Sequence, residues 1–192
     1  IVCGFWNRRD RHTGQMRRID LRHDRIETLL DALRDIRSSE PVIIWAKYHY
    51  SISQITAALR EQYGEVAATE FHGRLPERDR NAQLARWRAG ESRFLVATQA
   101  AGSHGLTLNE AGYSVFYASE FSYATRVQAE DRCHRIGQTR PVTYVDVVCA
   151  GTIDDRIQRA LARKGDAADE FRREVARVTD DLALVRKVVK AL

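Results

Sequence analysis

A chain of 192 residues is long enough to bury one sizeable core and short for two domains. Hydrophobic residues at 44% and charged residues at 30% fit a soluble globular protein, and no apolar run approaches the roughly 20 residues that cross a bilayer, so no membrane partner is expected. The net charge of +5 allows a nucleic-acid partner without requiring one. Cys3, Cys133 and Cys149 are odd in number and lack CxxC spacing, and the histidines lack ligand spacing. A disulfide framework and a metal site are therefore not expected. A first residue other than Met is what a fragment would show, and Ile1 to Trp6 is too short and wrongly flanked for a signal peptide.

From the N-terminus, residues 4 to 20 carry Arg8, Arg9, Arg11, Arg17 and Arg18 with little periodicity, which reads as an irregular basic lead-in over residues 1–23. Asp24 and Glu27 have the spacing of a capping box. Ile26, Leu29, Leu30, Leu33 and Ile36 then recur at helical intervals, which predicts a helix over 24–38. Val42-Ile43-Ile44-Trp45-Ala46 is an apolar run suited to a buried strand, with Trp45 in the core, and Ile52, Ile55, Ala58 and Leu59 give the next helix an inner face.

A second strand is expected over Val66 to Phe71. Pro76 then suits the first turn of a helix that buries Leu84 and Trp87 and stops at Gly90. Phe94 to Ala97, Ser114 to Ala118 and Val142 to Val148 supply three more strands. Repeated β-α alternation with continuous apolar strands argues for an α/β fold, a mostly parallel sheet covered by helices on both faces. Thr152 is placed to cap a further helix that Gly165 would end. Beyond it Phe171, Val175, Val178, Leu182, Val185, Val189 and Leu192 form a heptad seam on a helical extension over 166–192, to be covered by the domain itself or by a protein partner.

Open parallel sheets take ligands at the carboxyl ends of their strands. After Ala97 the run Thr98-Gln99-Ala100-Ala101-Gly102-Ser103-His104-Gly105-Leu106-Thr107-Leu108 is rich in small residues, as a loop that brings backbone N–H groups to a phosphate must be, although small residues also serve an ordinary strand-to-helix turn. Further on, Gln128, Arg132 and Arg135 stand at i, i+4 and i+7 of a helical segment, so one amide and two guanidiniums share a stripe. By spacing alone, with Glu130 and Asp131 alongside, this is a solvated face.

The wording of Gln128-Ala129-Glu130-Asp131-Arg132-Cys133-His134-Arg135-Ile136-Gly137-Gln138 resembles motif VI of the Swi/Snf-type ATPases of helicase superfamily 2. In register with it, Gly102, Gly105, Leu106 and Thr107 are similar to motif V, and Val42 to Lys47 to motif IV. Phe71-His72-Gly73-Arg74 is similar to the family's strand-end turn. Ser119-Glu120-Phe121-Ser122-Tyr123 departs from the family's acidic residue followed by Trp-Asn-Pro. Together the matches run over about residues 25 to 165.

The resemblance implies that residues 24–165 are the C-terminal RecA-like lobe of a DNA-dependent ATPase. Arg132 and Arg135 would be arginine fingers, positioned by Gln128. Gly102, Gly105 and Leu106 would border the nucleotide cleft, and Gly73, Arg74, Thr98 and Thr107 would meet duplex DNA. No GxxxxGK[ST] loop or Asp-Glu-x-His-type box occurs in the chain, so ATP and Mg²⁺ are expected to be held mainly by an N-terminal lobe, the second implied partner. A non-catalytic RecA-like module and a lobe of an RNA-directed superfamily 2 helicase are the alternatives. The expected compartment is the cytoplasm of a bacterial or phage-infected cell, or a nucleus.

Overall fold

The computed structural model describes residues 4–10, 12–21, 23–100, 106–119, 121–134, 138 and 140–167. A five-stranded sheet runs through it, built from β3 (Val42–Ala46), β4 (Ala68–Phe71), β5 (Phe94–Thr98), β6 (Tyr113–Phe116) and β7 (Thr143–Asp146). β1 and β2 belong to a separate hairpin described below. The sheet order is β4-β5-β3-β6-β7 and every pair is parallel, with Ile44 level with Val96 on one side and Val115 on the other. All five sequence-predicted strands are present, β3 with the expected bounds and the other four within two residues of theirs at each end.

Period-two alternation sends successive β3 side chains to opposite faces. Val42, Ile44 and Ala46 join Leu29 and Leu33 of α1 (Arg25–Arg34) and Ile52, Ile55 and Leu59 of α2 (His49–Tyr63) in one apolar cluster. Ile43 and Trp45 join Leu84 and Trp87 of α3 (Glu77–Arg88) and Ala129 and Cys133 of α4 (Tyr123–Cys133) in the other. The sheet is thus covered on both faces, and this is why its strands read as unbroken apolar runs. Trp45 is core, as expected; its indole N–H donates to Ser114 Oγ at 2.9 Å, which removes the cost of burying that donor.

Several local expectations are corrected. Residues 5–20 form an antiparallel hairpin of β1 (Phe5–Arg9) and β2 (Met16–Asp20), not an irregular lead-in. β2 is exposed along its whole length, so it carries no apolar alternation, and the turn makes the hairpin. Asp10 Oδ1 accepts from the amides of His12 and Thr13 at 2.8 and 2.9 Å, and Gly14 takes the φ of +68° that closes the loop. Asp24 makes no side-chain cap; its carbonyl instead accepts from Thr28 N and Thr28 Oγ1. α1 stops at Arg34, and Arg93 Nη2 takes the carbonyls of Ile36 and Arg37 at 2.8 and 3.0 Å.

α3 begins after Pro76, which serves as its N-cap, and runs to Arg88, with Ala89 as C-cap and Gly90 at φ +74° turning the chain away as expected. The C-terminal helix α5, over 153–167, opens on Thr152, whose hydroxyl accepts from Asp154 N at 3.2 Å. It does not stop at Gly165. A Cβ there would lie 3.4 Å from the Tyr123 ring, so Gly165 lets α5 pass close to the start of α4. The heptad seam from Phe171 to Leu192 lies outside the described residues.

One polar contact was invisible in the sequence. Arg25, at 2% exposure, donates to the carbonyls of Tyr117 and Val147 and forms an ion pair with Asp154, which also accepts from Cys149 N. It joins the start of α1, the exits of β6 and β7, and α5. A buried pair of this kind contributes little relative to an apolar replacement, but losing one partner strands the other. Arg25→Met should cost roughly 3–5 kcal/mol, read as a lower urea midpoint. Arg25→Met combined with Asp154→Leu should recover part of this but not all, because the Tyr117 and Val147 carbonyls lose their donor; a double variant no better than the single one would contradict the ion-pair account.

Candidate functional site

The chain leaves β3 for α2 on one face of the sheet, whereas Leu106, Leu108 and Ala111, the next described apolar residues after β5, pack on the other. Neighbouring strands that exit to opposite faces leave a crevice at their carboxyl ends. In that position lies a cleft of about 550 Å³. Lys47 and His49 come to it from the β3 exit, Gly73 from the β4 exit, Thr98 and Ala100 from β5, and Glu77, Arg80 and Asn81 from the first turns of α3. Leu106 closes one side.

Gly73, Thr98 and Leu106, singled out from the sequence, therefore meet in one cleft. Arg74 stands beside it, close enough to act electrostatically on His49. Thr107 fastens the returning loop to the end of α3, because its carbonyl accepts from Arg88 Nη2 at 2.5 Å and Arg88 pairs with Glu110 at 3.2 Å. Gly102, Gly105 and Arg135 lie outside the described residues.

α4 ends at Cys133, and its C-cap His134 (φ −103°, ψ 82°) leaves helical space, so of the arginine stripe Gln128 and Arg132 stand on described helix. Gln128 is exposed and Arg132 half-buried. Arg132 Nη1 donates to the Leu106 carbonyl at 3.1 Å, and the Leu108 amide donates back to the Arg132 carbonyl at 2.8 Å. The helix with the arginine and the loop that borders the cleft are thus tied twice. Gln138 adds a latch, its side-chain amide donating to Asn109 O at 3.0 Å and Cys133 O at 3.3 Å.

α4 itself is well fixed. Ser122 Oγ caps it by accepting from Thr125 N, and Arg126 pairs with Glu130 and, through both carboxylate oxygens, with Asp146 while lying 3.5 Å over the Phe116 ring. Where the family's Trp-Asn-Pro would stand, Tyr123 packs beside Gly165 and Phe121 is 46% exposed; Glu120 lies outside the described residues. Cys133, inside the motif, is fully buried and its thiol is pushed up to about 12 by desolvation, so it is packing and not a nucleophile.

Sequence reasoning missed a histidine pair at the rim. His49 and His72 meet edge to face with ring centroids 4.9 Å apart, and His72 Nε2 is 3.1 Å from Glu70 Oε2. Desolvation first, then the charge of Arg74 and the neighbouring His72, hold His49 below the ordinary 6.5. The available signal was position: Lys47 and His49 directly follow an apolar strand, where parallel sheets put their sites.

Over residues 24–137 the chain matches the family model described as the helicase conserved C-terminal domain. The chain belongs to that family. Human lymphoid-specific helicase is 46% identical over 72 residues, 37% of this chain and 8% of that protein. The DNA repair protein RAD5 of Candida glabrata is 30% identical over 148 residues, 73% of this chain and 13% of that protein. This helicase lobe thus spans a small part of the length of the curated relatives it matches. The crystal structure of the C-terminal part of the Fun30 ATPase domain superposes with a TM-score of 0.65 at 21% identity, covering 71% of this chain and 45% of that one. The RecA-like fold and the Swi/Snf-type resemblance expected from the sequence both stand.

Because His49 is held below 6.5 when folded, it favours the native lobe above that pH, and the contribution is lost as pH falls from 6.5 through its folded value. His49→Gln should therefore flatten the acid-side fall in urea midpoint relative to the parent, and the His49 ring should titrate below 6.5 by NMR. A ring titrating at or above 6.5 would contradict the assignment.

Proposed function

We propose that this lobe is the C-terminal motor half of a DNA-dependent ATPase that moves along duplex DNA. The observation that carries the reading is the double tie between Arg132 and the Leu106–Leu108 segment, because it couples the arginine-bearing helix to a loop that borders the strand-end cleft. A shift at one is transmitted to the other through short, directional bonds and not through a flexible tether. The relatives, a helicase, a DNA repair protein and an ATPase domain, support the same class.

In this reading ATP is held mainly by an N-terminal lobe together with Mg²⁺. Among the described residues no group of His, Cys, Asp or Glu is placed to hold a metal ion. Arg132 does suit a phosphate: its guanidinium offers five donors in a rigid fork, and the Leu106 carbonyl fixes its orientation. Arg132 and Arg135 would stabilise charge that develops on the γ-phosphoryl group, with Gln128 beside them on the exposed side of α4. Gly102 and Gly105 would let the loop backbone approach the nucleotide closely. On the cleft side Gly73, Arg74, Thr98 and the Thr107 loop would meet the DNA backbone, a contact dependent on salt and largely independent of sequence.

In the full-length protein, Arg135→Ala and Arg132→Lys should each lower DNA-stimulated ATP turnover by on the order of 10³, with ATP affinity changed only a few-fold. Turnover that persists undiminished in both would sink the finger assignment. Stimulation by duplex DNA should exceed that by single-stranded RNA; the reverse order would move the lobe to the RNA-directed branch, and no turnover with either would favour a non-catalytic module.

A further inference from the structure

Histidine is the side chain whose charge changes near neutral pH, and the reading above gives the rim pair no task. His49 is the one histidine among the described residues that line the cleft. It shares that lining with Lys47 from its own segment and with Glu77 and Arg80 from α3, so two cations and one acid border the same space. Its ring is half-buried, and Nδ1 is buried with no hydrogen-bond partner. Nε2 is therefore the ring nitrogen that can meet a ligand in the cleft.

The β4 exit holds the ring in place. His72, 8% exposed, meets it edge to face with 4.9 Å between centroids, and His72 Nε2 is 3.1 Å from Glu70 Oε2. Glu70 is thus engaged by His72, and among the described residues no carboxylate pairs with His49. On the hairpin side Asp20 accepts from Tyr50 OH at 2.7 Å and Arg18 lies 4.0 Å from the Tyr50 ring centre, so both charges there are taken up by Tyr50. Burial first, then Arg74 and His72, disfavour a proton on His49 in the lobe alone. A phosphate set among Lys47, His49 and Arg74 answers these terms, because it neutralises Arg74 and accepts from a protonated Nε2.

We propose that His49 is a phosphate ligand of the cleft that takes up a proton when duplex DNA binds, so that the grip on the backbone tightens as pH falls. The inference rests on the DNA reading of the cleft. A ring placed only for packing would leave the pH dependence of binding unchanged when replaced by an uncharged side chain of similar size.

The test is duplex DNA affinity of the full-length protein at fixed salt from about pH 5.5 to about pH 8, for the parent, His49→Gln, His49→Lys and Arg74→Ala. Uptake of one proton changes affinity by at most about tenfold per pH unit. Across the range the parent should weaken roughly 3–10-fold more than His49→Gln, since the other titrating groups cancel in the difference. His49→Lys keeps a cation in place and should bind more tightly than His49→Gln at the alkaline end. Circular dichroism at each pH verifies that the variants stay folded. Equal profiles in the parent and His49→Gln overturn the proton uptake, and a His49→Lys variant no tighter than His49→Gln at the alkaline end overturns the phosphate contact. If Arg74→Ala weakens binding at that end, the cleft reading survives either result. A His49 effect with none from Arg74→Ala upholds the histidine contact and removes Arg74 from the cleft assignment. A parent that binds no duplex DNA overturns both readings.

Discussion

Two hydrogen bonds hold the functional half of this lobe together: Leu108 N to the Arg132 carbonyl, and Arg132 Nη1 to the Leu106 carbonyl. Each satisfies a group that the chain would otherwise leave orphaned. The Arg132 carbonyl lies in the last turn of α4, where intrahelical partners run out, and the Leu106 carbonyl belongs to a loop with no ladder to join. The fold therefore gives loop and helix end to each other. Gln138 repeats the arrangement one step further along, with its amide shared between the far end of the loop and the Cys133 carbonyl. Neither partner can move alone without breaking these part-buried hydrogen bonds, each contributing about 0.5–1.5 kcal/mol.

That coupling works only because both partners start from fixed ground. β5 and β3 pair along their whole lengths, Val42 with Phe94 through Ala46 with Thr98, so the loop leaves the sheet at a defined point. α4 is held by the Arg126 bridge to Asp146 at the opposite edge of the sheet, by the stack on Phe116 and by burial of Ala129 and Cys133. The cleft is then a consequence of topology. α2 after β3 and the Leu106–Ala111 segment after β5 pack on opposite faces, and the described side chains line the gap between them without filling it.

The sheet was legible because burial on both faces imposes an apolar run with no alternation, and Val42 to Ala46 could be little else. The strand-end position of the cleft followed from the parallel sheet, and Gly73, Thr98 and Leu106 do meet there. The hairpin was not legible, because β2 is exposed along its whole length, the ladder buries little besides Phe5, and its signal was confined to Asp10, Thr13 and Gly14. A stripe at i, i+4 and i+7 assumes a helix of at least eight residues; α4 carries its first two members and ends at Cys133, and the third lies outside the described residues. Gly165 misleads. A glycine late in a helical pattern signals a stop, but here its missing side chain makes room for the Tyr123 ring. Long-range polar contacts such as Arg25 with Asp154 leave no local pattern at all.

Net charge gave the least, and the reason is visible in what the arginines do. Arg25, Arg93 and Arg126 are tied down inside the lobe: one bridges α1 to α5, one takes the carbonyls beyond α1, and one pins α4 to the sheet edge. Arg88 fixes the returning loop. None of these adds to an external field in proportion to its count, since each is answered by a carboxylate or a carbonyl close by. The charge that faces solvent at the cleft includes Lys47 and Arg74. A formal excess of +5 spread evenly would make a weak, directionless attraction. Internal use of arginine elsewhere leaves the exposed cations of this region at the carboxyl ends of the strands, beside the cleft where the proposed DNA contact lies.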